Sequence, residues 1–259
     1  MIPFFRKIRK KLADDNKPIK YLRYAIGEIV LVVIGILIAI QINNWNEERK
    51  VRKMEISYLE RLLSEVKKDT ATINQNIQLA DKLSAAYQNY ILKMYTEQKT
   101  SEDFVNLITS ADLGSSANNL QLTDIAYTEL VNTGKLDLIS DNLLKSKIVI
   151  YYKEYKFVSL SESQSDETVN VSTQQVMQST PLLKYLVRPI NFFSVDYMYH
   201  DEDWQFINKP SSIEFRHWEE TIYSRLIKQL LIKPIYEDLN TKADELINSI
   251  EEALRNSDE

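Results

Sequence analysis

The sequence predicts an all-α protein: one N-terminal transmembrane helix followed by an elongated antiparallel helical bundle. Three observations carry that expectation. Only four glycines and six prolines occur in 259 residues, so turns are few and elements long, and long elements rich in Leu, Ile, Glu and Lys are helices. Every residue from 29 to 40 is apolar or glycine. Beyond Trp45 the apolar positions recur in alternating steps of four and three, and no alternating β pattern persists anywhere.

Composition narrows the function classes. The chain has no cysteine, which excludes disulfides, thiolate zinc sites and cysteine nucleophiles. The net charge of −5 conceals an asymmetry: residues 1–23 carry eight Lys or Arg against Asp14 and Asp15, a balance of +6 that leaves −11 on the remainder. A basic head on an acidic body fits a membrane surface better than a nucleic acid, and no nucleic-acid partner is expected.

Residues 1–23 form the first division, a basic cytoplasmic tail. Phe4, Ile8 and Leu12 fall at i, i+4 and i+8 with basic residues between them, the pattern of a short amphipathic helix lying on anionic lipid. An unstructured basic tail that only sets topology reads equally well.

Residues 24–44 form the span. With Tyr24 to Glu28 and Gln41–Ile42 added to the apolar run, the length meets the bilayer's requirement of about 20 residues. Tyr21, Tyr24 and Trp45 sit where aromatic belts occur. A buried core helix would lack this basic block and the polar Asn43-Asn44-Trp45-Asn46. A cleaved signal peptide would need small residues after the apolar core, whereas Ala39 is followed by Ile40, Gln41 and Ile42. Residues 4–23 hold eight positive side chains, and residues 46–65 hold five matched by five glutamates. The positive-inside bias therefore predicts a single-pass protein with a cytoplasmic N-terminus and residues 45–259 outside. Glu28, Gly35 and Ala39 share one helical face. Gly35-x-x-x-Ala39 is a small-xxx-small pattern that lets helices approach closely, so this face reads as a packing seam. The acid Glu28 leaves an ion or proton site open as the second reading.

Next comes a heptad-like stripe: Leu59, Leu63, Val66, Thr70, Ile73, Ile77, Ala80, Ser84, Tyr87, Ile91 and Met94. It marks a seam against another helix, within the chain or in another subunit, with Thr70 and Ser84 as bends or register pins. Leu59, Leu63, Val66, Ile73, Ile77, Tyr87 and Ile91 are its candidate interaction residues. A short helix over 101–108, capped by Ser101, turns Phe104, Val105 and Ile108 inward. Residues 114–119 are a loop. A helix from Thr123 ends near Gly134, a left-handed C-terminal glycine. Leu136, Leu138 and Ile139 cross the core, and Ser140 caps a helix that enters the polar run 161–178, either a weakly packed arm or a mobile segment. Residues 181–210 are irregular, with Phe192, Phe193, Tyr197, Tyr199, Trp204 and Phe206 either capping the bundle or lining a pocket. A final helix from about Ser212 to Leu254 presents Leu226, Leu230, Leu239, Leu246, Ile250 and Leu254 as its apolar face, with Pro234 as a kink or offset.

Two stretches resemble a known family. Residues 20–47, Lys-Tyr-Leu-Arg-Tyr-Ala-Ile-Gly-Glu-Ile through Val32-Val-Ile-Gly-Ile-Leu-Ile-Ala to Gln41-Ile-Asn-Asn-Trp-Asn-Glu, are similar to the N-terminal signature of an uncharacterised single-pass membrane-protein family abundant in flavobacteria and other Bacteroidota. Residues 126–140, with Leu144 and Tyr151-Tyr152, resemble a looser second block of it. The resemblance implies a Gram-negative inner membrane with the body in the periplasm, and no activity.

The parts of an active site are mostly missing. There is no phosphate-binding glycine loop and no Gly-x-Ser-x-Gly elbow. One Glu214-x-x-His217 occurs where a di-iron bundle needs two, and His200-Asp-Glu-Asp203 lacks the glycine of a calcium loop. No catalytic residue, cofactor or metal is expected. The sequence therefore reads as a non-enzymatic membrane protein whose periplasmic helices bind a protein partner or a second copy. The alternative is a periplasmic sensory module that passes ligand state to a membrane partner.

Overall fold

A computed structural model describes residues 18–96, 98–104, 120–181 and 200–257. Among these every regular element is a helix and there is no strand. Four helices carry it: α1 Pro18–Thr96, α2 Ile125–Asn132, α3 Asn142–Ser179 and α4 Ile213–Arg255. Short 3-10 turns stand at Leu136–Leu138, Asp201–Asp203 and Gln205–Asn208. Contacts divide the chain into two compact units, Met1–Ser57 and Tyr58–Glu259.

In the first unit the described residues belong to α1, whose large apolar side chains at Leu22, Ile26 and from Ile29 to Trp45 are exposed. From Ala25 the helix is long and apolar enough to cross a membrane, and none of its most apolar window is buried. Leu, Ile and Val turned outward on every side are what lipid solvates and water does not.

The second unit is a three-helix bundle built from the rest of α1 with α3 and α4. Polar pairs along the seams give its register. Between α1 and α4, Lys67 meets Glu251 at 2.6 Å, Asn74 meets Asn240 at 3.4 Å and Asp81 meets Lys233 at 2.6 Å. One set of numbers rises as the other falls, so these helices run antiparallel. Between α3 and α4, Lys147 meets Ser249 at 2.7 Å, Glu154 meets Lys242 at 3.3 Å and His217 meets Ser179 at 3.0 Å, again antiparallel. Helices α1 and α3 are therefore parallel, and Tyr151 on α3 reaches Asp69 on α1 at 3.0 Å.

The core forms two clusters. One gathers Leu59, Val66 and Ile73 of α1 with Ile148 and Tyr151 of α3 and Leu239 and Leu246 of α4, covered by Ala126, Leu130 and Ile139. The other gathers Tyr87, Met94, Phe104, Val176, Phe206 and Trp218 at the opposite end. Between them lies a polar layer of buried Glu162, Thr173, Arg225, Lys228 and Gln229.

Several local expectations are revised. Helix α1 runs unbroken through Thr70 and Ser84, because the hydroxyl of Thr70 bonds back to the Lys67 carbonyl at 2.8 Å without interrupting the ladder. Thr100, not Ser101, caps the next turn, exchanging bonds with Asp103 at 2.8 and 3.2 Å. Asp141, not Ser140, caps α3, its carboxylate accepting from Leu143 and Leu144 N–H at 2.7 and 3.2 Å. The polar run 161–178 is helix. Gly134 has φ 65°, the left-handed geometry expected at that helix end. Helix α4 continues through Pro234. Its Leu230 belongs to the outer face at 50% exposure, about a third of a turn from the inward positions 222, 225, 229 and 232. Val105, Ile108, the 114–119 loop and the aromatics 192–199 lie outside the described residues.

Candidate functional site

Three places bear on function: the membrane face, the stripe on α1, and a polar junction on α2 and its approach. Glu28, Gly35 and Ala39 lie on the apolar part of α1. Gly35 and Ala39 are exposed, and a methyl group added at Gly35 would meet no atom within 4 Å. The face is open within the chain, which is the geometry a helix-packing seam needs.

The stripe has a different fate. Leu59, Val66 and Ile73 are fully buried and Tyr87 is 4% exposed. Leu63, Ile77 and Ile91 are half-buried against the same two core clusters. Their seam is with α3 and α4 of the same chain, so they are not a free face for another subunit. A 4-3 repeat marks burial, and a sequence does not say whose helix does the burying.

Sequence reasoning missed an exposed row on α3. Leu143, Ile150, Phe157 and Val171 are 48–67% exposed and recur every seven residues, with Gln164 at the skipped position. The signal was present as a second heptad, masked by the charged residues of α3. Exposed Lys153 and Lys156 flank it towards one end and exposed Glu167 towards the other. On α4, Tyr223, Ile227, Leu230 and Leu231 are also exposed.

The polar junction was equally unseen. Three carboxylates on two helices hold the peptide N–H groups of residues 120–126. Glu162 accepts from Leu120 at 3.1 and 3.2 Å, Asp69 from Thr123 at 3.0 Å, and Glu65 from Ala126 at 3.2 and 3.1 Å. The hydroxyl of Tyr236 also donates to Glu162. Desolvation pushes all three carboxyls above their ordinary range, against the downward pull of those hydrogen bonds. The Tyr152 ring stacks on Tyr127 at 4.2 Å, and its hydroxyl is buried with no hydrogen-bond partner. Glu129, by contrast, is half-buried and bound by Arg61 and Tyr58 at 2.7 Å, and Arg61 holds it below the usual carboxylate range.

His217 Nδ1 pairs with the Ser179 hydroxyl at 3.0 Å, and the backbone N–H of His200 donates to Asp203 at 3.1 Å to close an acidic turn. Among the described residues no group of three or more His, Asp or Glu is placed to hold a metal. Trp204 and Phe206 pack on the second core cluster, Phe206 lying edge-on to Phe104 at 5.6 Å. They cap that end of the bundle.

No curated protein and no solved structure matches this chain. One protein family does, described as "Family of unknown function (DUF6090)", over residues 28–187.

Proposed function

The chain belongs to DUF6090, a family of unknown function, and from that premise we propose that it is a non-enzymatic, single-pass inner-membrane protein whose periplasmic bundle binds a helix of a partner protein. The N-terminus is cytoplasmic, as the excess of Lys and Arg before the span favours. The resemblance of residues 20–47 to the N-terminal stretch of a Bacteroidota membrane-protein family supports a Gram-negative inner membrane.

The observation that carries the reading is the exposed row Leu143, Ile150, Phe157 and Val171. A seven-residue repeat is the spacing into which another helix sets its own apolar stripe. Isolated exposed apolar residues need no explanation, but a row of them along one helix marks an interaction surface. The charges set a condition on the partner: acidic residues beside Lys153 and Lys156, basic residues beside Glu167. Gly35 and Ala39 supply a second contact, between spans.

The test is purification of the full-length protein from native membranes in mild detergent, with mass spectrometry and mass photometry. We expect a heteromeric complex that Ile150→Glu with Phe157→Glu dissolves while the unfolding midpoint stays put. A monodisperse single chain would sink the proposal, and a homodimer lost on the same substitutions would replace the partner with a second copy.

A further inference from the structure

Just past the span, α1 carries a charge pattern that the partner-binding surface does not use. Residues 45–55 read Trp-Asn-Glu-Glu-Arg-Lys-Val-Arg-Lys-Met-Glu, and Arg49, Lys50, Arg52 and Lys53 fall within five positions. At about 100° per residue these cations occupy one arc, a little under half of the helix circumference. Glu47, Glu48 and Glu55 fall on the remaining arc, together with Val51 and Met54. Trp45 lies on the cationic side, one turn before Arg49, and is 64% exposed.

Two of the four cations are already matched, Lys50 by Glu47 at 2.9 Å and Arg52 by Glu55. Among the described residues, exposed Arg49 and Lys53 have no ion-pair partner. They stand four positions apart, where like charges on adjacent turns repel. An anion between them removes that repulsion. The Arg49 guanidinium suits a phosphate, because its fork of donors matches two oxygens, and the Lys53 ammonium adds a point charge.

The bilayer places such an anion within reach. Helix α1 is unbroken here, so Arg49 and Lys53 stand about 7 and about 14 Å along its axis beyond residue 44. The headgroup layer is about 5–8 Å deep. The field of an anionic surface extends about 8 Å further at physiological salt. Both side chains lie inside that range, at the opposite end of the span from the basic residues 4–23.

We propose that Arg49 and Lys53, with Arg52 beside them and Trp45 one turn towards the membrane, bind the headgroup phosphate of an anionic phospholipid. The site rests on residues 24–44 crossing a bilayer. It selects by net charge: the ammonium of a zwitterionic headgroup cancels the attraction that phosphatidylglycerol keeps. Trp45 sets the depth, since its ring favours the interface.

Trp45 is also the reporter. The full-length protein is placed in phosphatidylcholine bilayers containing brominated phosphatidylglycerol, and in the reverse mixture. Fluorescence quenching then gives the relative affinity of the two lipids at Trp45, with Trp45→Phe supplying the background from Trp204 and Trp218 in the bundle. We expect phosphatidylglycerol to be preferred about tenfold, within what two basic side chains at an anionic surface supply. Arg49→Gln with Lys53→Gln should bring the preference to about one. Lys82→Gln with Lys93→Gln, which removes the same charge from exposed positions farther along α1, should keep it. Equal quenching by both lipids in the wild type would overturn the site, whether or not any variant folds. So would the full preference persisting without Arg49 and Lys53, or its loss in the Lys82 and Lys93 control. Displacement by inorganic phosphate beyond that of chloride at equal ionic strength would also overturn it, by making the ligand a soluble anion. Carbonate washing of native membranes reads the span separately. Protein that washes off would sink the membrane reading, and protein that stays without a lipid preference would sink only this site.

Discussion

At the residue scale, two adjacent tyrosines make opposite predictions. The Tyr151 hydroxyl donates to Asp69 at 3.0 Å, so Tyr151→Phe strips a buried carboxylate of a donor and should cost about 1–3 kcal/mol. The neighbouring Tyr152 hydroxyl is buried without a partner, and Tyr152→Phe should be neutral or stabilising by up to about 1 kcal/mol. Urea denaturation of both variants checks the pair, and equal losses would contradict it. Glu162 makes a prediction in pH. Burial raises its carboxyl above the ordinary range, so its contribution is fully present below the unfolded value and is lost as pH rises through the folded one. Lowering the pH from about 8 towards about 5 should raise the wild-type unfolding midpoint, and Glu162→Gln should flatten that rise. Asp103, Glu129 and Glu251 are shifted down by hydrogen bonds to Thr100, Arg61 and Lys67 respectively. What they contribute is lost as pH falls through their depressed values, so the gain should reverse in stronger acid.

At the element scale, the caps are the sharpest tests. Asp141 accepts from two N–H groups at the start of α3, and Asp141→Ala should cost about 1 kcal/mol. Gly134 holds φ 65° with open space around it, so Gly134→Ala should cost about 1 kcal/mol through backbone strain alone. Thermal denaturation reads both. The elements also show what a sequence displays and what it hides. The apolar run 29–40, the 4-3 stripe and Gly134 were legible because each is a one-dimensional pattern with one physical cause. Ser140 and Asp141 are both good caps, and only the backbone at 141, extended at φ −78° and ψ 112°, separates them. The junction of Glu65, Asp69 and Glu162 was illegible. Its members sit among ordinary surface-type charges on two helices, and only the fold carries residues 120–126 between them. The 4-3 period of the stripe is visible in one dimension, but which helix faces it is a tertiary fact.

At the scale of the whole bundle, two apolar clusters are separated by a polar layer. Ile73→Ala in one and Trp218→Ala in the other should each cost about 2–5 kcal/mol. Native-state hydrogen exchange should show each loosening mainly its own end, and uniform loosening would mean that the polar layer couples the clusters tightly. The ladder between α1 and α4 has a further consequence. Lys67, Asn74 and Asp81 face Glu251, Asn240 and Lys233. If α4 slid by one turn so that each partner was replaced by the residue four positions on, Lys67 would confront Arg255 and Asp81 would confront Glu237. A turn the other way would offer Ile247 and Gln229 instead, leaving both charges without a counterion. Attraction exists at one notch only, so these pairs bias the two helices against piston travel, though only weakly, because exposed ion pairs are worth little.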